Sequence, residues 1–186
     1  MVKKIAVIVG SLRKESFNRK MAHEIISLAP SSLKLQIIEI GDLPLYNQDL
    51  DDENRPPVAW TQFREQIKAC QGILFVTPEY NRSVPGVLKN AIDVGSRPYG
   101  QSVWGKKPGA VISVSPGAIG GFGANHHLRQ SFVFLDIPIL QQPETYIGGA
   151  GDLFDSQGKI KKEETLKFIK KFIEVYAAWV ELNTSK

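Results

Sequence analysis

The most constraining feature of this sequence is a regular alternation of short apolar segments with amphipathic helical segments along the chain. The segment 72–77 is rich in Ile, Leu, Phe and Val and carries almost no polar side chain. Strands of this kind are typical of a parallel sheet that helices cover on both faces. Right-handed crossovers then leave few topologies, and we expect an α/β sandwich with five strands in the order 2-1-3-4-5.

The same pattern predicts the bounds of the individual elements. Predicted strands are 3–9, 33–40, 72–77, 108–114 and 137–140, and predicted helices are 18–28, 58–69, 84–94, 123–135 and 163–182. Between them, 41–57 is predicted to be a long polar loop. We see no linker or internal repeat, and the length suits a single domain over residues 1–186.

Composition narrows the class of protein. Hydrophobic residues make up 42% and charged residues 23%, which are ordinary values for a folded domain. No apolar run approaches the roughly 18 residues that span a bilayer, and the run after Lys4 is too short for a signal peptide. The single cysteine, Cys70, excludes an internal disulfide and is expected to be inert packing. We therefore expect a cytoplasmic protein without a membrane partner.

The net charge of +4 favours anionic ligands through long-range attraction. The basic residues are spread along the chain, and those on the predicted C-terminal helix fit a solvated face. We therefore expect no nucleic-acid partner.

Residues 10–19 join the first strand to the first helix and form a candidate phosphate site. Backbone N–H groups at a helix N-terminus attract anions, and Ser11, Ser16 and Arg13 add hydroxyl and guanidinium donors. Asn18 or Ser16 can cap the helix. The segment matches neither common Gly-rich nucleotide motif, so alone it fits an ordinary capped turn equally well.

Two further loops follow the third and fourth strands, and they should lie at the same edge of the sheet as the first loop. The segment 77–86 is stiffened by prolines, and its amides can face a flat polar ring. The segment 115–123 contains four glycines, which let backbone approach a ligand closely. Three such loops at one edge predict a ligand site better than any of them alone.

In combination, these loops resemble the NADPH-dependent FMN reductase family, and especially its bacterial chromate and quinone reductase branch. The resemblance rests on Gly-Ser-Leu-Arg at 10–13, Pro-Glu-Tyr-Asn at 78–81 running into 83–93, and Ser-Pro-Gly at 115–117 with the following glycine pair. It covers nearly the whole chain. It implies a flavodoxin-like fold, bound FMN, NAD(P)H as cosubstrate, and a homodimer or homotetramer.

The resemblance also implies roles for particular residues. The phosphate would be held by Ser11, Arg13, Ser16, Asn18 and the amide of Phe17; the isoalloxazine by Pro78, Glu79, Tyr80 and Asn81; and its other side would be bordered by Ser115, Gly117 and Gly120. The implied activity is ping-pong hydride transfer from NAD(P)H to quinones and similar small acceptors, such as chromate, flavins or azo compounds. No side chain is required as a catalytic acid or base.

The chain departs from this branch at two places. Arg82 stands where the branch often has an aromatic residue, and Val94 and Gly95 stand where a Trp is common. We expect Arg82 and Arg97 to attract anionic acceptors and the phosphates of NADPH, with Arg97 coming from a partner subunit. The alternative for Arg97 is an exposed arginine favoured by the dipole at a helix C-terminus.

Two other functions remain open at this point. An FMN electron carrier would share the fold without turning over alone, although such carriers are usually acidic and this chain is basic. A nucleotide- or anion-binding module without catalysis would need only the first loop.

Metal binding is not expected. His126 and His127 are adjacent in a predicted helix, so they point about 100° apart and cannot chelate one ion together. The acidic run 49–53 lacks the glycine and spacing of a calcium loop, and we interpret it as a solvated loop. The sequence shows no Ser-His-Asp signature.

Overall fold

The structure, a computed structural model, describes residues 1–184 and contains a five-stranded parallel sheet in the order β2-β1-β3-β4-β5. The strands are β1 (Lys3–Val9), β2 (Leu33–Ile37), β3 (Gly72–Thr77), β4 (Gly109–Val114) and β5 (Thr145–Ile147). The predicted flavodoxin-like α/β sandwich and its strand order are confirmed. The loops that follow β1, β3 and β4 therefore share one edge, which we call the carboxyl edge.

Helices cover both faces of the sheet. They are α1 (Phe17–Leu28), α2 (Gln48–Asp52), α3 (Val58–Lys68), α4 (Gly86–Gly95), α5 (Phe122–Phe134) and α6 (Glu163–Thr184), with a 3-10 turn at Ala150–Asp152. In β1, Ile5 and Val7 pack with α1 and α6, whereas Ala6 and Ile8 pack with α3, α4 and α5. Among residues 1–184, no helix combines the length and apolar character needed to cross a membrane.

The prediction for the fifth strand was wrong in position. Residues 137–140 make a single bridge to β4, where Ile139 lies opposite Gly109, and the ladder resumes only at β5, where Thr145 pairs with Ile112. Pro138 has no backbone N–H to give to β4. The apolar run at 137–140 therefore cannot build a continuous edge strand, and the shorter β5 takes its place.

The predicted polar loop at 41–57 is also partly wrong, since it contains α2. Asn47 caps this helix by accepting a hydrogen bond from the N–H of Asp49 at 3.1 Å. Asp51 is not solvated: its carboxylate forms a two-pronged ion pair with Arg64 at 2.8 and 2.7 Å, and the two side chains are 2% and 9% exposed. The acidic run looked solvated because its basic partner lies in another element, α3.

Candidate functional site

The first loop at the carboxyl edge leads into the N-terminus of α1. Ser16 caps α1 by accepting a hydrogen bond from the N–H of Arg19 at 3.2 Å, and both Ser11 and Ser16 are buried. The guanidinium of Arg19 forms a two-pronged ion pair with the Glu39 carboxylate, with N–O distances of 2.8 and 2.6 Å. This ion pair lowers the pKa of the Glu39 carboxyl. Arg13 is exposed and forms no ion pair with any residue of 1–184, which leaves it available to an anion.

Asn18 leaves a buried acceptor without a partner. Its Nδ2 donates to the carbonyl of Val114 at the end of β4, at 3.1 Å, whereas its Oδ1 is buried and has no hydrogen-bond partner among the described residues. A buried acceptor left unpaired costs free energy, so such an atom indicates a missing donor. The ribityl hydroxyls of FMN are such donors, and the helix N-terminus beside them suits its phosphate. The residues present therefore fit FMN.

The second loop contains a tight two-residue turn. Tyr80 and Ser83 exchange backbone hydrogen bonds at 3.1 and 3.0 Å, and the residues between them, Asn81 and Arg82, have φ angles of 51° and 62°. A turn with two positive φ angles usually carries glycine at its second position, so Arg82 is held in a conformation that side chains disfavour. The Arg82 side chain is 77% exposed at the rim of the site.

The third loop is shaped by a hydroxyl and by one close backbone approach. Ser115 Oγ accepts a hydrogen bond from the N–H of Gly117 at 3.1 Å. Gly120 has a φ of 61°, and a Cβ there would lie 2.6 Å from the carbonyl carbon of Tyr146. Only glycine allows this packing of the loop against β5. Ser115 and Gly120 thus fix the shape of the third loop.

The second and third loops are bonded to each other. Glu79 Oε2 accepts a hydrogen bond from the N–H of Ala124 in the first turn of α5 at 3.0 Å. A Cβ at Gly123 would lie 2.8 Å from the Arg82 carbonyl oxygen and 2.9 Å from Glu79 Oε2. Ser83 Oγ and His127 Nδ1 form another hydrogen bond across the same contact, at 2.9 Å. The second loop and the start of α5 are therefore one connected unit.

The predicted site residues fall into two groups. All those expected to hold the cofactor, together with Arg82, lie on the three loops at the carboxyl edge or at the start of α1. Arg97 does not, because it follows the C-terminal end of α4, whose ten residues put it about 15 Å along the helix from the second loop. Its guanidinium donates to Ser96 Oγ at 3.1 Å. Within one chain, Arg97 does not reach the cleft.

An aromatic cluster beside the third loop was missed by the sequence reasoning. The ring of Phe122 lies 4.1 Å from that of His126 and 5.3 Å from that of Tyr146, between centroids, and the Tyr146 hydroxyl lies 2.8 Å from His126 Nε2. Burial and the neighbouring Glu144 raise the pKa of Tyr146 to about 12. Helical spacing could have paired Phe122 with His126, but Tyr146 belongs to the strand whose position was mispredicted.

The adjacent histidines point to different partners, as their spacing predicted. His126 contacts Tyr146, whereas His127 contacts Ser83. The described residues contain no group of three or more His, Cys, Asp or Glu side chains arranged to hold a metal ion. Burial raises the pKa of the Cys70 thiol, which makes its reactive thiolate form scarcer.

Comparison with known proteins gives consistent matches along the chain. The profile of the family described as "NADPH-dependent FMN reductase" matches residues 3–152. A quinone reductase of Pseudomonas putida is 65% identical over 179 residues, covering 96% of this chain and 95% of that protein. A 2-hydroxy-1,4-benzoquinone reductase of Burkholderia is 53% identical over 180 residues, covering 97% of each.

A solved structure agrees with these matches. FerB, described as a flavoenzyme NAD(P)H:(acceptor) oxidoreductase from Paracoccus denitrificans, superposes with a TM-score of 0.91 at 40% identity, covering 98% of this chain and 99% of that one. The likeness therefore extends over the whole fold.

Proposed function

Because the chain belongs to the NADPH-dependent FMN reductase family, we propose that it is an FMN-dependent NAD(P)H oxidoreductase that reduces quinones and similar small acceptors. The observation that carries this proposal is the carboxyl edge itself. Three features lie there together. They are a helix N-terminus with Arg13, which has no ion pair among residues 1–184, the Asn18 Oδ1, which has no partner among them, and the second and third loops, which are bonded to each other. These features match a phosphate, a polyol and a flat ring in that order.

The protein's part in this chemistry is to bind and orient. Bound FMN would supply the redox chemistry by taking hydride from NAD(P)H and passing it to the acceptor. The first turn of α1 and Arg13 hold negative charge, and Asn18 Oδ1 accepts from a hydroxyl. Backbone amides of the second and third loops offer donors to a polar ring. No side chain is needed to move an obligatory proton.

The finer points of the proposal concern the acceptor side, the assembly and the location. Arg82, exposed at the rim, and Arg97, reaching over from a partner subunit, would attract anionic acceptors and the phosphates of NADPH. A homodimer or homotetramer with α4 at or near the contact would bring Arg97 to the cleft. A cytoplasmic location agrees with the single cysteine.

The test of the function is turnover by the purified protein. We expect it to be yellow, to contain FMN, and to reduce a quinone with NADPH or NADH. In double-reciprocal plots of initial rate, the lines for different acceptor concentrations should be parallel, because donor and acceptor would use the same cleft in turn. A flavodoxin-type carrier, which the relatives do not favour, would bind FMN without turning over alone. A colourless protein that cannot take up FMN would contradict the proposal.

The test of the assembly is the mass in solution. Light scattering at micromolar concentration should give a multiple of the 20.7 kDa chain mass. A monomer mass would remove Arg97 from the site, because a single chain holds it away from the cleft.

A further inference from the structure

The connection between β5 and α6, residues 148–162, begins at the carboxyl edge and touches two of the three loops of the candidate site. Its start packs against the third loop. The N–H of Ala150 donates to the carbonyl of Ser115 at 3.2 Å, and a Cβ at Gly148 would lie 2.5 Å from the carbonyl oxygen of Ala118. Only glycine allows so close an approach. The start of the connection is therefore fixed to the third loop.

Further along, the same connection packs against the start of α1. The ring of Phe154 is stacked on the ring of Phe17, with centroids 6.2 Å apart and an interplanar angle of 8°. Phe154 is 8% exposed and belongs to the apolar core on the side of the sheet that α1 and α6 cover. Phe17 is the first residue of α1. The stack therefore ties the connection to the helix terminus at which the phosphate is expected to bind.

Polar contacts from the middle of α1 hold the connection in place as well. The carboxylate of Glu24, which is 6% exposed, accepts hydrogen bonds from Lys159 Nζ at 2.7 Å and from the N–H of Ile160 at 3.1 Å. An isolated antiparallel bridge pairs Ile160 with Phe154. The position of the Phe154 ring therefore does not depend on its contact with Phe17 alone.

The first turn of α1 has two N–H groups left for an anion. The N–H of Arg19 donates to Ser16 Oγ, whereas the N–H groups of Phe17 and Asn18 have no hydrogen-bond acceptor among residues 1–184. A helix N-terminus binds phosphate through such N–H groups. The ring of Phe154 restrains the residue that carries the first of them, and a restrained site needs less ordering when its ligand binds.

We propose that Phe154 is a positioning residue for the phosphate of FMN and that it acts through the ring of Phe17 on the first turn of α1. This inference rests on the FMN binding of the proposed function. Riboflavin has the ring system and the ribityl chain of FMN but no phosphate. A residue that acts on the phosphate site should therefore affect the binding of FMN and leave the binding of riboflavin unchanged.

The test is the affinity of Phe154→Leu for FMN and for riboflavin, measured by fluorescence titration of the full chain after bound flavin is removed. Leucine keeps an apolar side chain in the core but cannot stack on Phe17. We expect the Kd for FMN to rise about threefold to tenfold and the Kd for riboflavin to stay within about twofold of the wild-type value. Phe154→Tyr keeps the ring and should keep the wild-type ratio of the two Kd values.

The matched control is Phe172→Leu. Phe172 of α6 is 1% exposed and stacks on Tyr176 in the same core, with centroids 6.5 Å apart and an interplanar angle of 13°. The Tyr176 hydroxyl donates to the carbonyls of Ile73 and Pro108, which lie at the opposite edge of the sheet from the candidate site. The same substitution there should lower stability without changing the ratio of the two Kd values.

Gly148→Ala tests the other end of the connection. A Cβ there would displace Ala118 in the third loop, which is expected to border the flavin ring, so both Kd values should rise by the same factor. A changed ratio in this variant would contradict a specific role for Phe154, because the ratio would then respond to any disturbance of the connection. If Gly148→Ala does not fold, Phe154→Leu and Phe172→Leu still decide the inference.

Two results for Phe154→Leu would overturn the inference. Equal rises of both Kd values would mean that Phe154 only stabilises the fold. Unchanged values would mean that FMN binding does not need the stack. A wild-type protein that binds neither FMN nor riboflavin would instead contradict the proposed function, so the two failures are distinguishable.

Discussion

Glu79 accepts a hydrogen bond from the backbone N–H of Ala124, with an Oε2–N distance of 3.0 Å. The cap residue of α5, Gly121, has no side chain, so Glu79 from another loop satisfies one of the free N–H groups of this helix. A carboxylate at a helix N-terminus is also favoured by the helix dipole. One side chain thus caps α5 and joins two walls of the candidate FMN site.

Glu79→Ala should lower the free energy of unfolding by about 1–2 kcal/mol, because the N–H of Ala124 loses its partner. FMN affinity should fall as well, since the two loops are no longer bonded. Glu79→Gln keeps an acceptor oxygen, so its losses in the free energy of unfolding and in FMN affinity should be smaller. Urea unfolding and FMN titration measure the two effects, and Glu65→Ala, which removes only an exposed ion pair with Lys68, is the control. If stability and FMN affinity are both unchanged in Glu79→Ala, the bond between Glu79 and Ala124 contributes to neither.

Arg13→Ala should weaken FMN binding, because the phosphate would lose a charged hydrogen-bond donor. A charge-assisted hydrogen bond contributes roughly 1.5–3 kcal/mol, so affinity should fall about tenfold to a hundredfold. Fluorescence titration of the apoprotein with FMN measures this change. Arg55→Ala removes another exposed arginine, one that pairs with Glu53 away from the first loop, and should leave affinity unaltered. Unchanged affinity in Arg13→Ala would place the phosphate elsewhere.

Arg82→Gly should stabilise the protein, because Arg82 has a φ of 62°. The left-handed conformation costs a side-chain-bearing residue roughly 1–2 kcal/mol, and the extra backbone entropy of glycine offsets part of the gain. We expect the free energy of unfolding to rise by up to about 1 kcal/mol. Arg82→Ala removes the same charge without relieving the backbone, so it should show no such rise. Equal stability of the two variants would argue against strain at this turn.

Arg97→Ala should lower kcat/KM for an anionic acceptor, such as ferricyanide or chromate, more than for a neutral quinone. The reason is that Arg97, if a partner subunit brings it to the cleft as proposed, would add a fixed positive charge there and raise the local concentration of anions. The difference should shrink as salt is added, and FMN should be retained. Steady-state rates at low and high ionic strength measure it. If both acceptors lose equally, or neither loses, Arg97 is an ordinary surface arginine.

Asp51→Ala should destabilise the protein strongly, because it leaves the guanidinium of Arg64 buried without its counter-charge. Breaking a buried pair in this way typically costs about 3–5 kcal/mol. Glu65→Ala breaks an exposed pair and should cost less than about 1 kcal/mol. Urea unfolding of both variants gives the comparison. Similar small losses in the two would mean that water reaches Arg64 despite its burial.

Local pattern was enough to predict most of the fold. The apolar runs of β1, β3 and β4 and the apolar stripes of α1 and α6 are set by residues close together in the sequence. Their hydrophobic periodicity can therefore be recognised without knowing the fold. Because parallel strands end at one edge, the sequence also predicted that the three polar loops lie together. Their chemistry and their resemblance to a known family then indicated FMN.

Tertiary structure decided what depends on partners distant in the sequence. The position of β5 followed from pairing with β4, the burial of Asp51 from Arg64, and the role of Glu79 from the start of α5. The stack of Phe154 on Phe17 likewise joins two distant segments of the chain. A sequence shows which groups can donate, accept or carry charge. Which of them meet is set by long-range packing, because a buried polar group must find its partner wherever the fold brings one.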